Sequence, residues 1–146
     1  MANAVRAIII EDDKMLLMHR NKNGKTYFTL VGGQVREDEG AEQALIREVK
    51  EETGLDVTSC RLVYVEDHHE PYNRQYIYLC TLASHGDATI QDTSEEAMLN
   101  KVSTNLHQPL WVSVSSFGAL PFLTMNLQAA IVQALKKGFP EEPVRV

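Results

Sequence analysis

Positive charge is scarce in this chain. Fourteen Lys and Arg stand against twenty Asp and Glu in 146 residues, for a formal net charge of -6 and a pI near 5.3, which argues against general affinity for a nucleic acid polymer or an anionic membrane. Cysteine is scarcer still. Cys60 and Cys80 lie apart in apolar, strand-like segments with no CxxC or metal spacing, so reduced, partly buried thiols are expected. No apolar run approaches the roughly 20 residues of a membrane span. The start Met1-Ala2-Asn3-Ala4 has no basic residue, and the aliphatic run to Ile10 is stopped by Glu11-Asp12-Asp13 before it reaches signal-peptide length. A cytoplasmic location is the expectation. Neither GxGxxG nor GxxxxGK[ST] occurs around Gly32-Gly33, so the dinucleotide and P-loop readings fail. No arrangement supports direct nucleophilic catalysis by Cys or Ser, and there is no repeat or low-complexity segment.

What is present is enough hydrophobic residue, 44%, for one domain over residues 1–146 with a real core. Val5 to Ile10 and Lys14 to Arg20 flank the acidic Glu11-Asp12-Asp13 turn, which predicts a hairpin. Asn21 to Lys25 reads as a turn, and Phe28 to Val31 as a strand feeding a Gly32-Gly33 corner. Gln34 to Gly40 reads as a polar loop. Asp56 to Val65 predicts one or two strands, Glu66 to Arg74 a polar loop, and Tyr76 to Leu82 a further strand. Ser84 to Gln108 is long, polar and without a clear pattern, apart from a helical turn over Ser94 to Leu99. Leu123 to Lys137 repeats Leu127, Ala130, Ile131, Ala134 and Leu135 at helical spacing and stops at Gly138.

The densest chemistry lies between Gly33 and Leu55. From Gly40 to Thr53, Leu45, Ile46 and Val49 recur with helical period, and Gly54 stands where a helix stops in the left-handed conformation. At about 100° per residue, Glu48, Glu51 and Glu52 share an arc of roughly 100°, giving an acidic and open face. Like charges at i,i+3 and i,i+4 cost about 0.2–0.5 kcal/mol per pair, and the last turn of a helix favours cations. Breaking both rules together points to a functional site, and Mg2+, which prefers carboxylate oxygens, waters and substrate phosphates, relieves both.

The stretch reads Gly-x5-Glu-x7-Arg-Glu-Val-Lys-Glu-Glu-Thr-Gly-Leu, with Gly33, Glu39, Arg47, Glu48, Glu51, Glu52 and Gly54 at its defining positions. It resembles the Nudix hydrolase signature with every position filled, and the strand runs before it and Leu110-Trp111-Val112-Ser113 after it extend the likeness over most of the chain. The resemblance implies an α/β/α sandwich with a mixed β-sheet and Mg2+-dependent hydrolysis of a diphosphate, with Mn2+ as a substitute. It implies Glu48 and Glu52 as metal ligands, with Glu51 sharing that shell or positioning water and the Gly32 carbonyl completing it. Arg47 and Glu39 are expected to fix the loop and the glutamates through ion pairs. The signature leaves the general base open: Glu95 and Glu96 are the candidates for a distal acid, and Glu70 is a weaker one. Arg36 and Asp38 replace the Glu and Gly that many members carry in the loop after the glycines.

For substrate contact, Arg20, Phe28 and Arg74 are the candidates. His19, Lys22, Lys25, Tyr27, Tyr72 and Tyr76 lie nearby in sequence, and His68-His69 lack the further ligands of a transition-metal site. The expected partner is a small-molecule nucleotide, with neither a nucleic acid polymer nor a membrane, and a homodimer is carried over from relatives that pair. The leading substrate class is a nucleoside diphosphate linked to a moiety X, of the nucleotide-sugar or ADP-ribose type. The alternative is a nucleoside triphosphate pyrophosphohydrolase acting on ordinary or oxidised nucleotides. A non-catalytic Nudix-like nucleotide-binding regulator is a third reading, against which the complete set of glutamates speaks.

Overall fold

The computed structural model describes residues 2–67, 73–91, 95–100 and 105–146. β1 (Ala4–Glu11) and β2 (Lys14–Lys22) form the expected hairpin, turned by Asp12 and Asp13, both at positive φ. Asp tolerates that region through its short polar side chain. β3 (Lys25–Gln34) follows the Asn23-Gly24 turn, again with both residues at positive φ, the pairing that two-residue hairpins favour. β4 (Val57–Asp67), β5 (Arg74–Leu82), β6 (Asn105–Ser113) and the short β7 (Val144–Arg145) complete a seven-stranded sheet of order β6-β2-β3-β1-β5-β4-β7. It is mixed: β1 runs parallel to β5 and β4 to β7, while the other pairs are antiparallel.

α1 (Ala41–Thr53) lies on one face of the sheet and α3 (Met125–Lys137) belongs to the core on the other, giving an α/β/α arrangement. The alternation of β1 explains both cores. Val5, Ala7 and Ile9 meet Ala44, Leu45 and Val49 of α1, whereas Ile8 joins Leu127 and Ile131 of α3. α1 starts at Gly40, whose N–H donates to Gln43 Oε1 at 2.8 Å, and ends at Gly54, which is left-handed at φ 77 and donates its N–H to Lys50 O. α3 is capped by Thr124, whose hydroxyl accepts from Leu127 N.

Several expectations are corrected. β3 does not end in a corner at Gly32-Gly33 but runs through both glycines to Gln34, because β3 changes partner there. Tyr27 to Leu30 pair with β2, and Val31 to Gln34 pair with β1. Of the polar loop expected over Glu66 to Arg74, Glu66 and Asp67 instead extend β4 and Arg74 begins β5. β6 starts at Asn105, inside the stretch that showed no pattern, and a 3-10 turn at Val114–Ala119 and β7 had no sequence signal. The helical turn expected near Ser94 is the six-residue α2 (Glu95–Asn100). Glu70, Tyr72 and His68-His69 lie outside the described residues.

Candidate active site

A cavity of about 150 Å³ is lined by strand residues together with Glu48 and Glu52 of α1 and Glu96 of α2. α1 packs here against β3 and β1, and the glycines make the approach close. A Cβ on Gly33 would lie 2.7 Å from the Glu48 carboxylate, and one on Gly32 would lie 1.9 Å from Val5 O. Gly32 admits no side chain, because the clash is with backbone, whereas a Cβ at Gly33 fits only if the Glu48 carboxylate moves.

The acidic face is therefore not open. Glu48 and Glu52 are 6% and 2% exposed, because the bare backbone of β3 covers them. Glu52 Oε1 accepts the Gly32 N–H at 2.8 Å. Glu48 Oε1 accepts from Arg47 Nη1 at 3.0 Å, while its buried Oε2 has no hydrogen-bond partner among the described residues. One carboxylate oxygen from each of Glu48, Glu52 and Glu96 lies within 4.8 Å of the others. Burial first, and the neighbouring Glu96 second, push the Glu48 carboxyl up to about 7. The same two causes, joined by Glu48, hold Glu52 well above the ordinary carboxylate range. Three hard oxygen donors, one without a partner and two resisting ionisation, fit a divalent cation.

Arg47 stands behind this cluster. Its guanidinium grips Glu39 through Nε to Oε2 at 3.0 Å and Nη2 to Oε1 at 2.6 Å, and donates to Gln34 O at 3.0 Å and Glu51 Oε2 at 3.1 Å. The hydrogen bond from Arg47 holds the Glu39 carboxyl down to about 2. Glu51 thus faces Arg47, and it is outside the group of three converging carboxylates. The Gly32 carbonyl accepts from Arg6 Nη1 at 3.2 Å, and Gly32 lines the cavity.

The cavity also carries cationic side chains. Arg6, Arg20 and His107 line the cavity with Thr29 and Met18. Arg20 Nη2 donates to Asn105 Oδ1 at 2.7 Å, and its buried Nε has no hydrogen-bond partner among the described residues. His107 is paired with Arg20 across β6 and β2 and is 8% exposed. Burial, reinforced by the Arg20 charge, lowers its imidazole to about 4, so it is neutral at pH 7. Arg6 Nε donates to Gln75 Oε1 at 2.9 Å, and Gln75 donates on to Glu66.

The remaining candidates fall elsewhere. Phe28 points to the α3 side, where its ring lies 4.8 Å from His19, and it does not line the cavity. Arg74 is held by Asp67 at 2.5 Å, away from the glutamates. The Glu95 side chain lies outside the described residues. Sequence reasoning passed over Arg6 and His107. The signal for Arg6 was a lone cation inside the apolar run Val5 to Ile10, since a charge in a buried strand needs partners. His107 carried little signal, because Asn105, His107 and Gln108 are polar and Pro109 breaks the strand pattern.

Residues 1–134 match the NUDIX domain family model. Over 73 residues, 48% of this chain and 43% of the relative, the sequence is 45% identical to an ADP-ribose pyrophosphatase of Methanocaldococcus jannaschii. Over 81 residues, 54% and 58% of the two chains, it is 36% identical to a CTP pyrophosphohydrolase of Escherichia coli. The chain spans about half the length of these relatives. The fold is similar to the crystal structure of an ADP-ribose pyrophosphatase from Streptococcus suis, with a TM-score of 0.66 and 25% identity over 99% of this chain and 98% of the other. With the family model matched over most of its length and the signature residues Glu48 and Glu52 lining one cavity, the chain belongs to the Nudix family.

Proposed function

We propose that this protein hydrolyses the diphosphate linkage of a nucleoside diphosphate joined to a moiety X, with Mg2+ or Mn2+ held by Glu48, Glu52 and Glu96. The observation that carries this reading is that one cavity is lined both by three converging carboxylates and by Arg6 and Arg20. A bound divalent cation would neutralise phosphate oxygens and acidify water there. Arg6 and Arg20 receive the remaining phosphate charge, and the Arg20 Nε that has no partner among the described residues becomes a donor to it. Neutral His107 adds no positive charge that must be relieved when the cavity is empty. Arg47 and Glu39 hold the loop and Glu48 in place without touching substrate. Glu96, which comes from outside the signature, is the candidate to take the proton from the attacking water. Water adds to one phosphorus, the bridging P–O bond breaks, and the products are a nucleoside monophosphate and the phosphorylated X.

The ADP-ribose class is favoured by the 45% identical relative and by the full-length structural match. The CTP pyrophosphohydrolase relative supports the second reading, release of pyrophosphate from a nucleoside triphosphate. A panel of nucleotide conjugates and triphosphates, assayed with and without Mg2+, separates them: phosphorylated X marks the first reading and pyrophosphate the second. No metal-dependent turnover on any member would leave the regulator reading standing in their place.

A further inference from the structure

α2 has six residues, too few for a helix to hold itself in water, yet it brings Glu96 to the cavity. Its last residue uses both ends of its side-chain amide on one neighbour. Asn100 Oδ1 accepts the His107 N–H at 2.5 Å, and Asn100 Nδ2 donates to the His107 carbonyl at 2.9 Å. β6 is the edge strand of the sheet, with β2 on its inner side. The amide thus stands in for a strand partner at a single residue of the free edge. His107 is itself a wall of the cavity, in register with Arg20. Glu96 and Asn100 are four residues apart, so they share a face of the helix. The contact that ties α2 to the sheet therefore also sets where Glu96 is carried.

We propose that Asn100 is a positioning residue whose clasp on the His107 backbone places the Glu96 carboxylate with Glu48 and Glu52. The inference rests on the reading of this cavity as a divalent-cation site. Groups that orient a ligand from behind typically change metal affinity 10–100-fold when removed. The test is Mn2+ binding, followed by electron paramagnetic resonance on the full chain without nucleotide, for the parent, Asn100→Ala, Glu96→Gln and the double variant. Asn100→Ala is expected to weaken Mn2+ binding about tenfold, and the double variant to bind no more weakly than Glu96→Gln alone, because the clasp acts only through Glu96. Should Asn100→Ala fail to fold, Asn100→Asp, which keeps the acceptor for the His107 N–H but loses the donor, replaces it in the same comparison. Equal affinity of the parent and Asn100→Ala, or fully additive losses, overturns the inference while leaving the proposed function intact. A parent that binds no Mn2+ overturns both.

Discussion

At the level of single residues the site depends on what is missing from β3 as much as on what α1 supplies. Gly33 leaves room for the Glu48 carboxylate, with 2.7 Å between that group and the position a Cβ would take. Gly33→Ala is therefore expected to displace Glu48 and lower kcat/KM by about 10²-fold, since misplacements near 1 Å cost that much, with a much smaller change in melting temperature. Steady-state kinetics beside thermal denaturation checks it. Glu52→Gln keeps the size of the side chain and an acceptor for the Gly32 N–H but removes the carboxyl that would ionise to hold a cation. Turnover is expected to fall by orders of magnitude, and the metal-free variant to melt no lower than the parent, because the group it replaces resists ionisation.

At the level of elements, α1 was readable because its apolar spacing, its Gly54 stop and its acidic positions all point to one helix. The left-handed Gly54 admits a test. A non-glycine residue there costs about 1–2 kcal/mol, and its Cβ would meet Gln91 Nε2 at 2.8 Å. Gly54→Ala is expected to lower the stability measured by denaturant titration by at least that amount. What sequence reasoning could not reach is where distant segments meet. Glu96 was a candidate beside Glu95 and Glu70, but nothing in a polar stretch tells which acid a short helix carries to a cavity built from β1, β2, β3 and β6. Phe28 is a candidate for substrate contact as an aromatic residue in the strand before the glycines. Strand alternation sends it to the α3 side, where it packs with that core and does not line the cavity. Arg6 was hidden for the same reason, since its partners are 24 to 69 residues away.

For the whole molecule, the clustered carboxylates set how stability depends on pH. The Glu48 carboxyl lies near 7 in the folded chain, above its ordinary value of 4.5, and Glu52 is raised as well. Between those pH values the folded state holds protons that the unfolded state has released, so folding weakens as pH rises. The metal-free protein is expected to lose melting temperature between about pH 5 and 7, and added Mg2+ or Mn2+ at pH 7.5 to restore it by binding the folded state alone. Glu39 acts in the opposite sense. Its carboxyl is held near 2, so its contribution is present above 4.5 and is lost as pH falls toward 2. Thermal scans across this range with a chelator, then with metal, separate the two effects.

The central claim is that the cavity between α1, α2 and the sheet is a metal-dependent diphosphate hydrolase site. Its most direct measurement is product analysis by phosphorus NMR on a panel containing ADP-ribose, nucleotide sugars and nucleoside triphosphates, each incubated with the protein plus Mg2+ or plus chelator. The account predicts nucleoside monophosphate and a phosphorylated sugar from at least one conjugate, only with Mg2+, and none from Glu52→Gln. A folded protein that releases no monophosphate from any compound, or releases it equally in the presence of chelator, contradicts it.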